Sequence, residues 1–318
     1  MKHFFYTILI ATLLNSCKND VVDETIESTE KIEIKSEELI VEANGIKFLV
    51  NKVGSGIPVL VIHGGPGYSH NYFLPHLETL AQDFQFIFYD QRGCGKSSFP
   101  ADSSFNMENY VADLSALITA LKIDTINILA HSWGGLIALN YASINSDKIN
   151  KLILSNCLAV NSTFYEQSLE KKNAKRSEQD TKEWVEVIMS NEYKIGNADA
   201  VKKAFVLNEK YNLAKPENYE TVFAKMDFSV AAQKQMKLVE GLSERYLFSY
   251  SLEPLLPNVL AKTLIIAGDL DNVPFDATQM LQDNLKNAEF VVIKNSCHYP
   301  FAENNNDFNA AFKKFFEN

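Results

Sequence analysis

Three residues able to pass a proton between them lie along this 318-residue chain in a meaningful order. Ser132 sits in Ala130-His131-Ser132-Trp133-Gly134-Gly135, and His298 in Asn295-Ser296-Cys297-His298-Tyr299-Pro300-Phe301. Between them, Gly268-Asp269-Leu270-Asp271-Asn272-Val273-Pro274 offers two acids. A serine hydroxyl is a weak nucleophile at neutral pH. It needs a general base within hydrogen-bond reach, and the base needs a group to orient it. Each site alone says little, because loop histidines are often ornamental and acids after strands are common turn formers. Serine, acid and histidine in that order, each after a strand-like run, point together to nucleophilic attack on a carbonyl. Such attack needs backbone N–H groups aimed at the oxygen on which charge develops, one donor being worth about 10²–10³ in rate. The residue after the nucleophile, Trp133, supplies one. The early loop His63-Gly64-Gly65-Pro66-Gly67 is the source of the other, since its glycines let backbone come close to a substrate. His63 is a base by type, but its place in this loop suits holding the loop's shape.

The elements that must position these residues alternate. Residues 126–131 form an apolar run, and a helical pattern follows Gly134, so Ser132 falls on a sharp strand-to-helix turn. The G-x-S-x-G pattern of such turns asks for glycine where this chain has Ala130, so the motif is imperfect. Runs at 32–43 and 46–53 flank Asn44-Gly45, a strong hairpin signal. Residues 58–62, 84–89, 151–155, 263–267 and 289–293 read as buried strands. Residues 73–80, 107–121, 277–285 and 308–316 read as helices. Strands alternating with helices predict a mostly parallel sheet covered on both faces. The alternation stops after Cys157, and the stretch to about Leu256 is charged and helical in pattern. The expected organisation is a core over 32–157 and 259–318, with a helical cap inserted at 158–258.

Composition sets the class. A formal net charge of -10 argues against nucleic acid or an acidic surface as partner. The four cysteines, Cys17, Cys94, Cys157 and Cys297, lack metal-ligand spacing, so no metal is expected and free thiols are the expected state. Lys2 and His3 precede an apolar run over 4–14, too short for a good membrane span and suited to a secretory signal over 1–16. Leu14-Asn15-Ser16-Cys17 resembles a bacterial lipobox, which implies lipidation of Cys17 and an exported, membrane-anchored chain on the periplasmic or cell-surface side. Each buried methylene of an anchor adds about 0.8 kcal/mol. Residues 17–31 are polar and acidic, the composition of a disordered tether.

Serine, acid, histidine is also the chain order of the α/β-hydrolases. The segments His63 to Gly67, Asp90-Gln91-Arg92-Gly93-Cys94-Gly95-Lys96-Ser97, His131 to Gly135, Gly268 to Asp271 and His298 to Glu303 resemble the prolyl aminopeptidase (proline iminopeptidase) branch of that superfamily. The resemblance implies an α/β-hydrolase fold with an inserted helical cap and removal of an N-terminal residue, often proline, from short peptides without a cofactor. It selects Asp271 over Asp269 as the acid, places the second oxyanion donor on Gly65, and leaves Asp90, Gln91 and Arg92 to shape the turn beneath the site. Glu303 is expected to be structural. Aminopeptidases of this branch need cap carboxylates for the substrate's ammonium, because a buried ammonium must be paired. Glu240 and Glu244, four apart on an expected helix, would share a face and are the candidates here; Glu166 and Glu170 are further cap acids. Some relatives carry glutamate directly after the catalytic acid, where this chain has Asn272. The rival readings are a carboxylesterase or lactonase on the same triad, and a surface-tethered binding protein without catalysis. Dehalogenase and epoxide hydrolase chemistry would need a carboxylate at position 132. Oligomeric state is not legible.

Overall fold

A computed structural model describes residues 34–317 of the protein. The signal segment, the acidic tether and Cys17 lie outside the described residues. The described strands form one eight-stranded sheet in the order β1-β2-β4-β3-β5-β6-β7-β8. They are β1 (Ser36–Ala43), β2 (Ile46–Gly54), β3 (Ile57–Ile62), β4 (Phe84–Tyr89), β5 (Ile126–His131), β6 (Ile149–Ser155), β7 (Lys262–Gly268) and β8 (Ala288–Ile293). The β1–β2 and β2–β4 pairs are antiparallel, and every pair from β4 through β3 to β8 is parallel. The turn between β1 and β2 is Asn44-Gly45, both with positive φ, as a two-residue hairpin turn requires. Strands β3, β5 and β6 are nearly continuous buried apolar runs, because helices cover both of their faces.

Helices α1 (Met107–Ala120), α2 (Trp133–Asn145), α3 (Ser162–Ala174), α4 (Glu178–Met189), α5 (Asn191–Ile195), α6 (Ala198–Glu209), α7 (Tyr219–Val222), α8 (Val230–Leu247), α9 (Phe275–Asn284), α10 (Pro300–Glu303) and α11 (Asn305–Glu317) complete the structure. The side chain of Asn106 caps α1, and those of Asn161, Ser177, Asn197 and Ser229 cap α3, α4, α6 and α8. The helix expected at 73–80 is instead two short 3-10 turns, His70–Phe73 and His76–Leu80. Pro75 separates them: it has no N–H to continue a helical ladder, and it pushes Leu74 into extended backbone.

Helices α3 to α8 all lie between β6 and β7. This excursion leaves and returns through a narrow neck. Asn161 bridges Ser251, Leu252 N–H donates to the Val160 carbonyl at 2.8 Å, and Ser162 N–H donates to that of Tyr250 at 3.0 Å. Among the described residues no helix is long and apolar enough to cross a membrane.

Candidate active site

Ser132 stands between β5 and α2 with φ 53° and ψ −121°, a backbone region that costs a non-glycine residue free energy of order 1–3 kcal/mol. The surroundings hold that strain. Ser132 N–H donates to the Ser155 carbonyl at 3.1 Å, and the Ser132 carbonyl accepts from Gly135 and Leu158. Room for the turn depends on Gly134, where a Cβ would lie 2.4 Å from the Ile62 carbonyl oxygen, and on Gly135, where it would lie 2.2 Å from Cys157 Sγ.

The structure brings Ser132, His298 and Asp271 together. Ser132 Oγ is 2.9 Å from His298 Nε2, and His298 Nδ1 is 3.1 Å and 3.3 Å from the two carboxylate oxygens of Asp271. Asn156, just past β6, donates its Nδ2 to Asp271 at 2.6 Å and to the Cys297 carbonyl at 2.8 Å, joining the acid's loop to the base's. Burial works to raise the Asp271 carboxyl, and the charge and hydrogen bond of His298 outweigh it, holding it below the usual carboxylate range. Burial works to lower His298, and Asp271 outweighs it by charge and hydrogen bond, raising the imidazole above 6.5. Asp269 points elsewhere: its Oδ1 accepts from Ser296 N–H, and Lys294 lies 3.8 Å from its other oxygen.

Two backbone N–H groups near Ser132 are expected to face the attacked carbonyl oxygen, those of Gly65 and Trp133. Gly64 N–H donates to the Tyr72 hydroxyl, and among the described residues no hydrogen bond is seen from Gly65 N–H. Trp133 is the first residue of α2, where the leading N–H groups have no intrahelical carbonyl, and no side chain caps this end. His63 shapes the loop. Its Nδ1–H donates to the Gly64 carbonyl at 2.8 Å, and its Nε2 accepts Gln91 N–H at 3.0 Å. Burial lowers His63 to about 4, so it stays neutral. Gln91 ties the early loop to the start of α2: its Nε2 donates to the His63 carbonyl at 2.6 Å, and its Oε1 accepts from the Trp133 indole at 3.0 Å. Behind it, Asp90 accepts from His70 Nδ1 at 2.8 Å, and Arg92 forks onto Asp113 at 2.6 Å and 2.7 Å.

The triad opens into a cavity of about 430 Å³ walled by the core loops and by α3, α6 and α8. Glu240 lines it and Glu244 does not; at that level the wall is Tyr165 and Leu247, and Glu244 is exposed. Glu166 and Glu170 are also absent from the wall. Glu240 is exposed as a residue, yet desolvation at the wall, followed by the charge of Glu209, raises its carboxyl above the usual range. The sequence reading missed Glu209, which is 4% exposed and lines the same cavity. Glu209 is saturated. Lys172 at 3.1 Å and Asn208 donate to one oxygen, Asn212 and the Tyr299 hydroxyl to the other. Burial works to raise it, and the Lys172 ammonium and the Asn212 and Lys172 hydrogen bonds outweigh that, so it stays ionised. A lone glutamate near the end of α6 carries no sequence signal for this role.

Residues 209–214 of the cap are joined directly to the catalytic loops. His298 N–H donates to the Asn212 carbonyl at 3.0 Å. Asn272 donates to the Tyr211 carbonyl at 3.0 Å and to Asn212 Oδ1 at 2.9 Å, so the residue after the acid is a tether here. Lys171 reaches from α3 to the Asp271 carbonyl at 2.6 Å. Glu303 collects the N–H groups of Ala214, Cys297 and Tyr299, a structural use of its carboxylate.

A mostly parallel sheet whose central strand ends in a strained serine, with acid and histidine after β7 and β8, defines a hydrolase class, and the sequence of residues 57–305 matches the family model of the alpha/beta hydrolase fold. The chain belongs to that family and is a hydrolytic enzyme. It is 28% identical over 270 residues to the proline iminopeptidase of Heyndrickxia coagulans, a match covering 82% of this chain and 91% of that one. Among solved structures it is similar to the proline iminopeptidase of Mycobacterium smegmatis (TM-score 0.66, 22% identity, 88% of this chain and 98% of that one). It is also similar to an esterase from Exiguobacterium antarcticum (TM-score 0.64, 22% identity, 89% of this chain and all of that one).

Proposed function

We propose that this enzyme is a serine aminopeptidase that releases an N-terminal residue, proline foremost, from short peptides. The observation that carries the reading is Glu240, a carboxylate on the wall of the cavity into which Ser132 and His298 open. Glu209 is already filled by four donors, so Glu240 is the group left to receive a substrate ammonium. The relatives named above support the same reading.

Ser132 Oγ attacks the carbonyl carbon of the first residue while His298 Nε2 takes its proton. The oxyanion that forms is held by Gly65 and Trp133 N–H groups. Its collapse breaks the C–N bond, and His298 returns the proton to the leaving amine. Water then attacks the acyl-serine with His298 as base, freeing the residue's carboxyl group and restoring Ser132. Asp271 holds the Nδ1–H tautomer and stabilises the imidazolium. The substrate's first side chain meets an apolar wall that includes Leu158, Phe205 and Leu247.

The test is a substrate pair, Pro-4-nitroanilide and its N-acetylated form, beside simple nitrophenyl esters. Cleavage of the free-amine compound alone supports the aminopeptidase. Equal cleavage of both, with esters faster, makes the enzyme an esterase. Replacing Ser132 with alanine abolishes turnover and fluorophosphonate labelling; turnover that survives it overturns the catalytic assignment, and a wild-type chain that neither labels nor turns over would be a binding protein.

The same proposal includes export and lipid anchoring at Cys17, supported by the lipobox-like Leu14 to Cys17. Metabolic labelling with a fatty-acid probe should mark the wild type and spare Cys17→Ser; equal labelling of both removes the anchor.

A further inference from the structure

Helix α8 turns three polar residues toward the cavity: Gln233, Lys237 and Glu240, at helical spacings of four and three. Residues at such spacing share a face, with Cβ atoms about 5–6 Å apart. The mechanism above uses only Glu240. The other cation of the wall, Lys172, is taken up by Glu209 at 3.1 Å. Lys237 is not neutralised in this way: its Nζ stands 3.4 Å from the centre of the Tyr193 ring, an aromatic rest that steadies a cation and leaves its other side open. Gln233 is 2% exposed; its Nε2 donates to the Asp227 carbonyl at 3.1 Å, and its Oε1 is a buried acceptor without a partner among the described residues.

We propose that the enzyme's preferred substrates are free dipeptides, and that Lys237 binds their C-terminal carboxylate while Glu240 binds the ammonium at the other end. The proposal rests on the aminopeptidase reading and adds the identity of the leaving half. Two residues of extended chain span roughly 7 Å, at about 3.3–3.6 Å each. Two side chains on successive turns of one helix can meet both ends of such a molecule. A cavity of about 430 Å³ suits a ligand of this size.

The experiment compares Pro-Ala with Pro-Ala amide, which differ only in the terminal charge, on the wild type, Lys237→Met and Lys237→Arg. The wild type should favour the free acid by about tenfold or more in kcat/KM, through KM, as a charge-assisted contact of about 1.5 kcal/mol or more gives. Lys237→Met should bring the ratio close to one; the ratio is the readout, because Lys237 also favours the ionised form of Glu240 and its loss acts on both peptides alike, while kcat on the amide reports folding. Lys237→Arg should keep the preference. A wild type that does not distinguish the two peptides, or a Lys237→Met variant that still does, overturns the carboxylate site while leaving the aminopeptidase standing. Cleavage of neither peptide beside active ester hydrolysis overturns both.

Discussion

His131 Nε2 lies 2.8 Å from the backbone carbonyl oxygen of His298, so the residue before the nucleophile holds the residue that activates it. On the other side of the ring, Nδ1 is 2.8 Å from the Tyr72 hydroxyl, which also receives Gly64 N–H. Burial, then the nearby His298, lowers His131 well below its usual range, so the ring is neutral. The roles follow: Nε2–H donates to the carbonyl, and Nδ1 accepts from Tyr72. Base loop, nucleophile turn and oxyanion loop therefore share one chain of hydrogen bonds.

Removing the middle of that chain should cost turnover more than binding. Tyr72→Phe leaves Gly64 N–H and His131 Nδ1 unpaired in a buried place, a loss of about 1–3 kcal/mol. The expected result is a fall in kcat of about 10–100-fold with KM within a factor of three, read by steady-state kinetics. Unchanged kcat would show that the oxyanion loop does not need this support.

The pH profile follows from His298. Catalysis needs the neutral ring, and its folded-state pKa is above 6.5, so kcat/KM should rise with pH to a midpoint above 6.5. The stability sign is opposite. A raised histidine pKa adds stability that is full below 6.5 and fades as pH rises through the folded value. Asp271→Asn should move the rate midpoint down and cut kcat by about 10⁴, through loss of the right tautomer. A midpoint that stays in place on this substitution would detach Asp271 from the base.

Glu240 gives a second acid limb, in KM alone. Its carboxyl lies above the usual 4.5, so KM for a free-amine substrate should climb as pH falls toward that raised value, and KM for an acylated ester should not. Glu240→Gln should raise the amine substrate's KM by about 10–100-fold, the worth of a charge-assisted hydrogen bond of about 1.5–3 kcal/mol. Equal effects on both substrates would remove Glu240 from amine binding.

Arg92 and Asp113 are both buried, at 3% side-chain exposure each. Arg92→Met strands a buried carboxylate and should destabilise the fold by about 3–5 kcal/mol in urea unfolding. Adding Asp113→Leu should recover part of that loss; a double variant no more stable than the single one would contradict the uncompensated charge.

The nucleophile turn makes a paired test. Gly134→Ala drives a methyl to 2.4 Å from the Ile62 carbonyl, so little or no active protein is expected. Ala130→Gly removes a methyl from a buried strand position that tolerates it, and turnover should stay within a few-fold. Both are read from soluble yield and kcat on the nitroanilide; a large loss on Ala130→Gly would mean that Ala130 sets the geometry of Ser132.

Sequence carried the parts of this molecule that repeat locally. The apolar runs that became β3 to β8 and the Asn44-Gly45 hairpin are written in a few consecutive residues. So was the serine turn, even with Ala130 in place of glycine. The helix expected around Phe73 failed because the apolar spacing at 73–80 outvoted Pro75 in the reading, whereas backbone chemistry decides in the folded chain. The cavity was the least legible part. Glu209 is paired by its neighbours Asn208 and Asn212 and by Lys172 and Tyr299 from two distant segments, and no pattern around position 209 announces the distant pair. Glu240 and Glu244 look equivalent on a helix, and only the packing of Tyr165 and Leu247 separates them. His131 and Tyr72 are 59 residues apart, and their bond exists only once β5 lies against the early loop.

The hydrogen bond from His298 N–H to the Asn212 carbonyl makes the cap an interlock. A molecule whose 209–214 segment has lifted away has also lost the support of its base, so opening at that edge and readiness to react exclude one another. A chain whose 209–214 segment is not seated would therefore lack a positioned His298 even with Ser132 and Asp271 in place.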